Sequence, residues 1–161
     1  MTEPLTWRPA TADDEPLLLA LFRSTKGLEL APLGLSAEQL EPLLQMQFHA
    51  RRVSYASSYP GARDWIVCLE DGRAVGRHLV ERQPDCYRSI DLAVLPEYRG
   101  RGIGAWAVRQ VQAMAEREHV AMRLRVVQGD RPAQLYRRLG FREIASDAIS
   151  CEMEWRGAGP N

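Results

Sequence analysis

The chain has 161 residues, 45% of them apolar, and its 21 Lys and Arg balance its 21 Asp and Glu. That length suits one domain spanning residues 1–161, with a core that needs neither disulfides nor metal. The zero formal net charge excludes a global positive field for nucleic acid, and no apolar run is long enough to cross a bilayer.

The first residues carry neither the basic region nor the apolar core of a secretion signal, so a cytoplasmic location is expected, with no membrane or nucleic-acid partner. Cys68, Cys86 and Cys151 are odd in number and far apart, which suggests neither a disulfide framework nor a zinc knuckle. Cys68 and Cys151 fall in apolar strand patterns and read as core residues, whereas Cys86 sits in a polar turn and reads as an exposed thiol. His49, His78 and His119 are scattered, so no metal site is expected.

In chain order, a short strand over 5–8 precedes a helix capped by Thr11 or Asp13, with Leu17, Leu18, Leu21 and Phe22 at helical spacing and an end near Lys26 and Gly27. A connector over 28–35 leads to Ser36, which forms a capping box with Gln39 for a second helix carrying Leu40, Leu43, Leu44, Met46 and Phe48. Strands over 64–70 and 74–81, joined by an Asp71-Gly72 turn, read as a hairpin. After a turn at 83–85, a third antiparallel strand covers 87–95. Next comes a helix over 105–118, whose core stripe is Val108, Val111 and Ala115, with Trp106 packed on a neighbour. A strand over 122–127, a short helix opened by Asp130 with Pro132 in its first turn, and strands over 141–144 and 149–155 complete the pattern, followed by a frayed tail.

The segment between the third strand and the long helix holds Gly100, Gly102 and Gly104 with Arg99 and Arg101. The first amides of a helix lack internal partners and the helix dipole adds positive charge there, so a strand, a glycine-rich loop and a helix in succession form a cradle for a nucleotide-like anion. No Lys-Ser or Lys-Thr follows these glycines, which argues against an NTPase. Gly102-Ile-Gly104-Ala-Trp-Ala107 matches G-x-G-x-x-[GA], the basis for a dinucleotide-binding reading. Against it, a Pro-Glu-Tyr-Arg-Gly-Arg segment separates strand from glycines, and too little chain follows for the rest of such a sheet.

Arg99-x-x-Gly102-x-Gly104 also resembles the [QR]-x-x-G-x-[GA] signature of the GNAT superfamily of acyl-CoA-dependent N-acetyltransferases. Downstream, the run from Asp130 through Ala133, Leu135 and Tyr136 to Gly140 and Phe141 is similar to the family's second signature, N-x-x-A-x-x-L-Y-x-x-x-G-F. The resemblance covers residues 65–155 well and extends more loosely to the opening Trp7-Arg-Pro-Ala-Thr-Ala-Asp-Asp14. It implies an α+β fold, a mixed and mainly antiparallel sheet flanked by helices, with one β-α-β crossover carrying the acyl-CoA site. It further implies acetyl-CoA as cosubstrate without metal, and direct attack by a primary amine of a small molecule or peptide, with no covalent enzyme intermediate.

By the same resemblance, main-chain groups of Leu92, Ala93 and Val94 pair with the pantetheine arm, the Val94 N–H lying near the thioester oxygen. The pyrophosphate rests on the amides of Arg99, Gly100, Arg101, Gly102, Ile103 and Gly104. Asp130, Ala133 and Tyr136 complete the cofactor contacts, and Tyr136 gives its proton to the departing thiolate, a purely packing and cofactor-bonding role standing beside it. Asp130 replaces the family's usual asparagine; it suits a helix N-cap but lacks the amide donor. Asp91, the carboxylate nearest the cofactor strand, is the candidate general base, an ion-paired role standing beside it. Period-two alternation sends Asp91 and Ala93 to the face opposite Ile90, Leu92 and Val94, without saying which face meets the acceptor. Glu29, Glu81 and Tyr55 are further candidates for the acceptor wall. Arg51, Arg52, Arg123, Arg125, Arg137 and Arg138 read as solvated or ion-paired faces, with Arg137 or Arg138 in reach of a ribose phosphate. An alternative from another class is a catalytically inactive acyl-CoA-binding sensor or assembly module, and by fold analogy the last strand is where a homodimer would pair.

Overall fold

The computed structural model describes residues 4–129 and 131–158. One sheet runs in the order β1-β2-β3-β4-β5-β7-β6. Strands β1 (Thr6–Pro9), β2 (Ala62–Cys68), β3 (Ala74–Arg82) and β4 (Cys86–Val94) pair antiparallel in succession. β4 then pairs parallel with β5 (Ala121–Val127) across the helix α3 (Ile103–Arg117), the expected crossover. The closing hairpin, β6 (Arg142–Ser146) and β7 (Ser150–Trp155), inserts β7 between β5 and β6. Helices α1 (Glu15–Leu30) and α2 (Ala37–Ser58) cover one face through Leu18, Phe22, Leu44 and Phe48 packed on Ile66 and Cys68. The other face takes α3 and α4 (Arg131–Arg138), with Val108, Val111, Ala133 and Tyr136 packed on Val80, Met122 and Met153. This is the α+β arrangement that the family resemblance implied. Among the described residues no helix is long and apolar enough to cross a membrane.

Local chemistry sets the element ends. Arg8 of β1 donates to both carboxylate oxygens of Asp14 at 2.8 Å, and Asp14 also accepts the Thr11 amide at 2.7 Å, tying the first strand to the turn before α1. These donors hold the Asp14 carboxyl at about 2. The Ser36 and Gln39 capping box forms at 3.2 and 3.0 Å as its spacing predicts. The stripe Val108, Val111 and Ala115 is fully buried, and Trp106 meets Trp7 edge-on at 6.1 Å.

Two expectations are corrected. α1 does not stop at Gly27 but runs to Leu30, because one helical glycine costs only about 1 kcal/mol and the flanking helix is packed and ion-paired, Lys26 to Glu29 at 3.0 Å. The stop comes from Pro32 in a 3-10 turn over Ala31–Leu33 and from Gly34 at φ 65°. Cys86 is not an exposed thiol: it begins β4 opposite Ala121 and is fully buried, because the strand starts one residue earlier than the polar turn suggests.

His78 of β3 is completely buried, with Nε2 2.7 Å from the Ser89 hydroxyl, and burial lowers its pKa to about 4. The unfolded chain, with an imidazole near its ordinary 6.5, therefore binds a proton that the folded one refuses. This contribution is complete above the unfolded value and is lost as pH falls from there toward the folded value, a loss on the order of 3 kcal/mol. Urea unfolding is expected to show a lower midpoint near pH 5 than near pH 7, and His78→Gln, which does not titrate, is expected to flatten that slope. An unchanged wild-type midpoint would contradict the assignment.

Candidate functional site

β4 leaves β5 halfway along its length. Their parallel ladder runs from Cys86 and Ala121 to Ser89 and Leu124 and ends there, although β4 continues to Val94 and β5 to Val127. β4 stays paired to β3 through Val94, and β5 to β7 through Val127, so the inner edges part while the outer ones hold. A bulge marks the onset: Leu79 faces Asp91 and Val80 faces Ser89, leaving Ile90 without an opposite residue. The extra residue resets the side-chain alternation. Tyr87 and Ser89 point to the α3 face, where Tyr87 joins the core and Ser89 meets His78; beyond the bulge Leu92 and Val94 do so instead. Asp91 and Ala93 consequently turn toward α1 and α2. The Leu95 amide donates to the Val75 carbonyl at 2.9 Å, which fixes the phase of the β3–β4 ladder. Ala93, opposite Arg77, thus directs its main chain to β3, while Leu92 and Val94 direct theirs into the gap.

A cavity of about 510 Å³ joins this gap to the mouth of α3, with Leu92, Val94, Tyr98, Arg99, Gly100, Gly102, Ile103 and Gly104 in its wall. Gly102 is the N-cap and adopts φ 80°, as Gly100 adopts 77°, a left-handed path that a side chain would strain. The first bond of the helix runs from the Trp106 amide to the Gly102 carbonyl, so the amides of Ile103, Gly104 and Ala105 open α3 without helical acceptors. A Cβ at Gly104 would meet only Leu92 Cδ2, at 3.9 Å; its absence widens the cavity without being needed by the fold. Arg99 turns back as a brace, its Nε donating to the Val94 carbonyl at 3.0 Å and its Nη2 to the Ser24 hydroxyl at 3.2 Å. Arg101 lies over the Tyr98 ring at 5.2 Å and is not in the cavity wall, whereas Arg131 and Arg138 are.

Tyr136 reaches the same cavity from α4. Gly140, at φ 94°, ends that helix at a point where a Cβ would come within 3.1 Å of Trp155, and Phe141 then folds back edge-on against Tyr136 at 5.5 Å. Burial, with a smaller push from the negative charge of Asp91, raises the Tyr136 phenol to about 12, so it is protonated throughout the neutral range. Ala133, one turn earlier, is buried in the core rather than in the cavity wall. Asp130 lies outside the described residues.

The opposite face of β4 borders a smaller cavity of about 140 Å³, and Leu92 belongs to the walls of both. Arg77 crosses its floor, donating from Nε and Nη2 to Asp64 at 2.9 and 2.6 Å and from Nη1 to Asp91 at 3.0 Å. Arg51 of α2 lies 3.9 Å from Asp91, with its guanidinium 4.9 Å from the centre of the Phe22 ring and 6.0 Å from that of Tyr55. Leu18, Leu21, Phe22 and Phe48 form the apolar wall. Burial raises the Tyr55 phenol, the Asp91 charge adding to it.

The structure therefore gathers Leu92, Val94, Arg99, Gly100, Gly102, Ile103, Gly104 and Tyr136 around the larger cavity, and Asp91, Ala93 and Tyr55 around the smaller one. Glu29 and Glu81 are not brought to either: the first pairs with Lys26, and the second accepts the Gly61 amide at 2.9 Å. Arg51 is ion-paired, one of the two roles read for it, and it also lines the smaller cavity. The signal was in the sequence, because Leu44, Phe48, Arg51 and Tyr55 recur at the spacing of one helix stripe.

A family model described as an acetyltransferase (GNAT) domain matches residues 61–143, more than half of the chain and including the glycine-rich loop and Tyr136. No curated protein matches the sequence. Solved structures share the fold over nearly the whole length. A PaiA N-acetyltransferase from Thermoplasma acidophilum superposes with a TM-score of 0.72 at 16% identity, over 96% of this chain and 99% of that one. A Corynebacterium glutamicum protein described as histone acetyltransferase HPA2 and related acetyltransferase gives 0.70 at 22% identity, over 99% of each chain. The ribosomal-protein-S18-alanine N-acetyltransferase of Escherichia coli gives 0.68 at 16% identity, over 98% of each. With both signatures in register around a parted β4 and β5, the chain belongs to the GNAT acetyltransferase family.

Proposed function

We propose that this chain, as one domain over residues 1–161, is an N-acetyltransferase that moves an acetyl group from acetyl-CoA to a primary amine of a small molecule or peptide. The observation that carries the reading is the continuous cavity from the open edge of β4 to the unpaired amides of α3, with a protonated phenol in its wall. Its elongated supply of main-chain donors suits an amide-containing arm that ends in a diphosphate. That the Thermoplasma neighbour was crystallised in complex with coenzyme A supports the same ligand here.

In this reading the Leu92 and Val94 main chains align the pantetheine arm, and the Val94 N–H donates to the thioester oxygen as negative charge grows there. The amides of Ile103, Gly104 and Ala105 hold the pyrophosphate, with Gly100 and Gly102 shaping the loop and Arg99 fixing it to the end of β4. Arg131 and Arg138 supply charge for the remaining phosphate. The amine attacks directly from the side of the smaller cavity, where Asp91, oriented by Arg77, takes up its proton directly or through water. Tyr136 hands its own proton to the leaving thiolate and regains one from solvent.

Titrating released thiol with acetyl-CoA and a panel of amines tests the activity, and a chain that binds CoA yet releases no thiol above background would be a binding module instead. Tyr136→Phe is expected to lower kcat about 100-fold or more while CoA affinity, read by calorimetry, changes little. Gly104→Val is expected to weaken CoA binding at least about tenfold with a near-native melting temperature, since the added methyls enter the cavity rather than the core.

A further inference from the structure

We infer that the acceptor is a small amino acid with an apolar side chain, whose carboxylate is held by Arg51 while its amine meets the β4 edge; this inference rests on the acetyl-transfer reading above. Three arginines reach the smaller cavity, of which Arg77 is balanced by Asp64 and Asp91 and Arg52 by Glu15, while Arg51 only shares Asp91 at 3.9 Å. A plain amine offers the Arg51 guanidinium no acceptor. An amine that carries its own carboxylate offers an acceptor to Arg51 and a donor to Asp91.

Arg51 is the guanidinium with donors to spare. Arg77 is saturated by Asp64 and Asp91, and Arg52 is paired with Glu15 at 3.0 Å. Arg51 has only the 3.9 Å approach to Asp91, and is otherwise held in place by the faces of Phe22 and Tyr55. Ring contacts consume none of its N–H donors, which stay available for a carboxylate to take up bidentately. Because Arg51 stands beside Asp91, an anion on the first and an amine near the second are only a few bonds apart, as they are in an amino acid. The remaining wall is Leu18, Leu21, Phe22 and Phe48, around a volume close to that of cavities which hold a benzene-sized body. A leucine, methionine or phenylalanine side chain meets those limits. A peptide N-terminus does not, because its nearest carboxylate has become an amide.

The test uses the full chain with acetyl-CoA and compares L-leucine and L-phenylalanine with L-leucinamide, L-phenylalaninamide, 3-methylbutylamine and 2-phenylethylamine. Rates are referred to the neutral fraction of each amine. At least one free amino acid is expected to exceed its amide and its decarboxylated amine in kcat/KM by about tenfold or more, the range of one charged hydrogen-bonded pair. Arg51→Gln is expected to collapse that ratio chiefly through KM, and Arg51→Lys to keep part of it. Calorimetry of L-leucine and L-phenylalanine into CoA-loaded protein gives a readout independent of turnover. Equal or better use of the amides and plain amines would overturn the inference. So would neither amino acid binding, or Arg51 variants that depress all acceptors alike. Failure of CoA itself to bind the wild-type chain would instead sink the acetyl-transfer reading.

Discussion

The parting of β4 from β5 after Ser89 is the constraint from which the rest of this site follows. Had the parallel ladder run on, the main chains of Leu92 and Val94 would be bonded to β5 and the cavity at α3 would have no floor. Main-chain groups left without a strand partner are tolerated where water or a ligand reaches them, and here they face a cavity rather than a packed core. What keeps the strands apart is the outer pairing. β7 holds β5 to its last residue, β3 holds β4 to its last residue, and the bulge at Ile90 increases the local twist between them.

The bulge does a second thing. By shifting the alternation it gives β4 two unlike faces beyond Ile90, with Leu92 and Val94 toward α3 and Asp91 and Ala93 toward the helices α1 and α2. The phenol of Tyr136 and the carboxylate of Asp91 therefore stand on opposite sides of one strand, close enough that the carboxylate charge still raises the phenol. A ligand lying along the strand edge reaches both, with one group on each side of it.

Much of the fold and the anion loop was legible because their signals are local. A capping box at Ser36, glycines at 100, 102 and 140, and the stripe Val108, Val111 and Ala115 each act within a turn or two of chain. The acceptor side was less legible because it is made by distant segments. Arg77 finds Asp64 across one hairpin and Asp91 across the next, and Arg51 arrives from α2, 40 residues before Asp91 in the chain. The Ile90 bulge left no trace in composition, since an apolar residue there fits a regular strand equally well. Gly27 misled for the opposite reason: a true local preference was overridden by packing on both sides of it.

The arginines of this chain divide by how fully their donors are used, and that division separates scaffold from site. Arg8 is bidentate to Asp14, Arg77 is shared by two aspartates, and Arg123 bridges Glu154 and Asp85 at 2.8 and 2.9 Å. Each stitches one element to another and has little left to offer a ligand. Arg51 is instead steadied by ring faces, which fix a guanidinium's position without consuming its hydrogen bonds. A chain with no net charge can thus still present a guanidinium whose hydrogen bonds are largely unspent, because ring faces and a distant carboxylate hold it in place. Overall charge balance excludes a global attraction for polyanions; it places no limit on a single cavity.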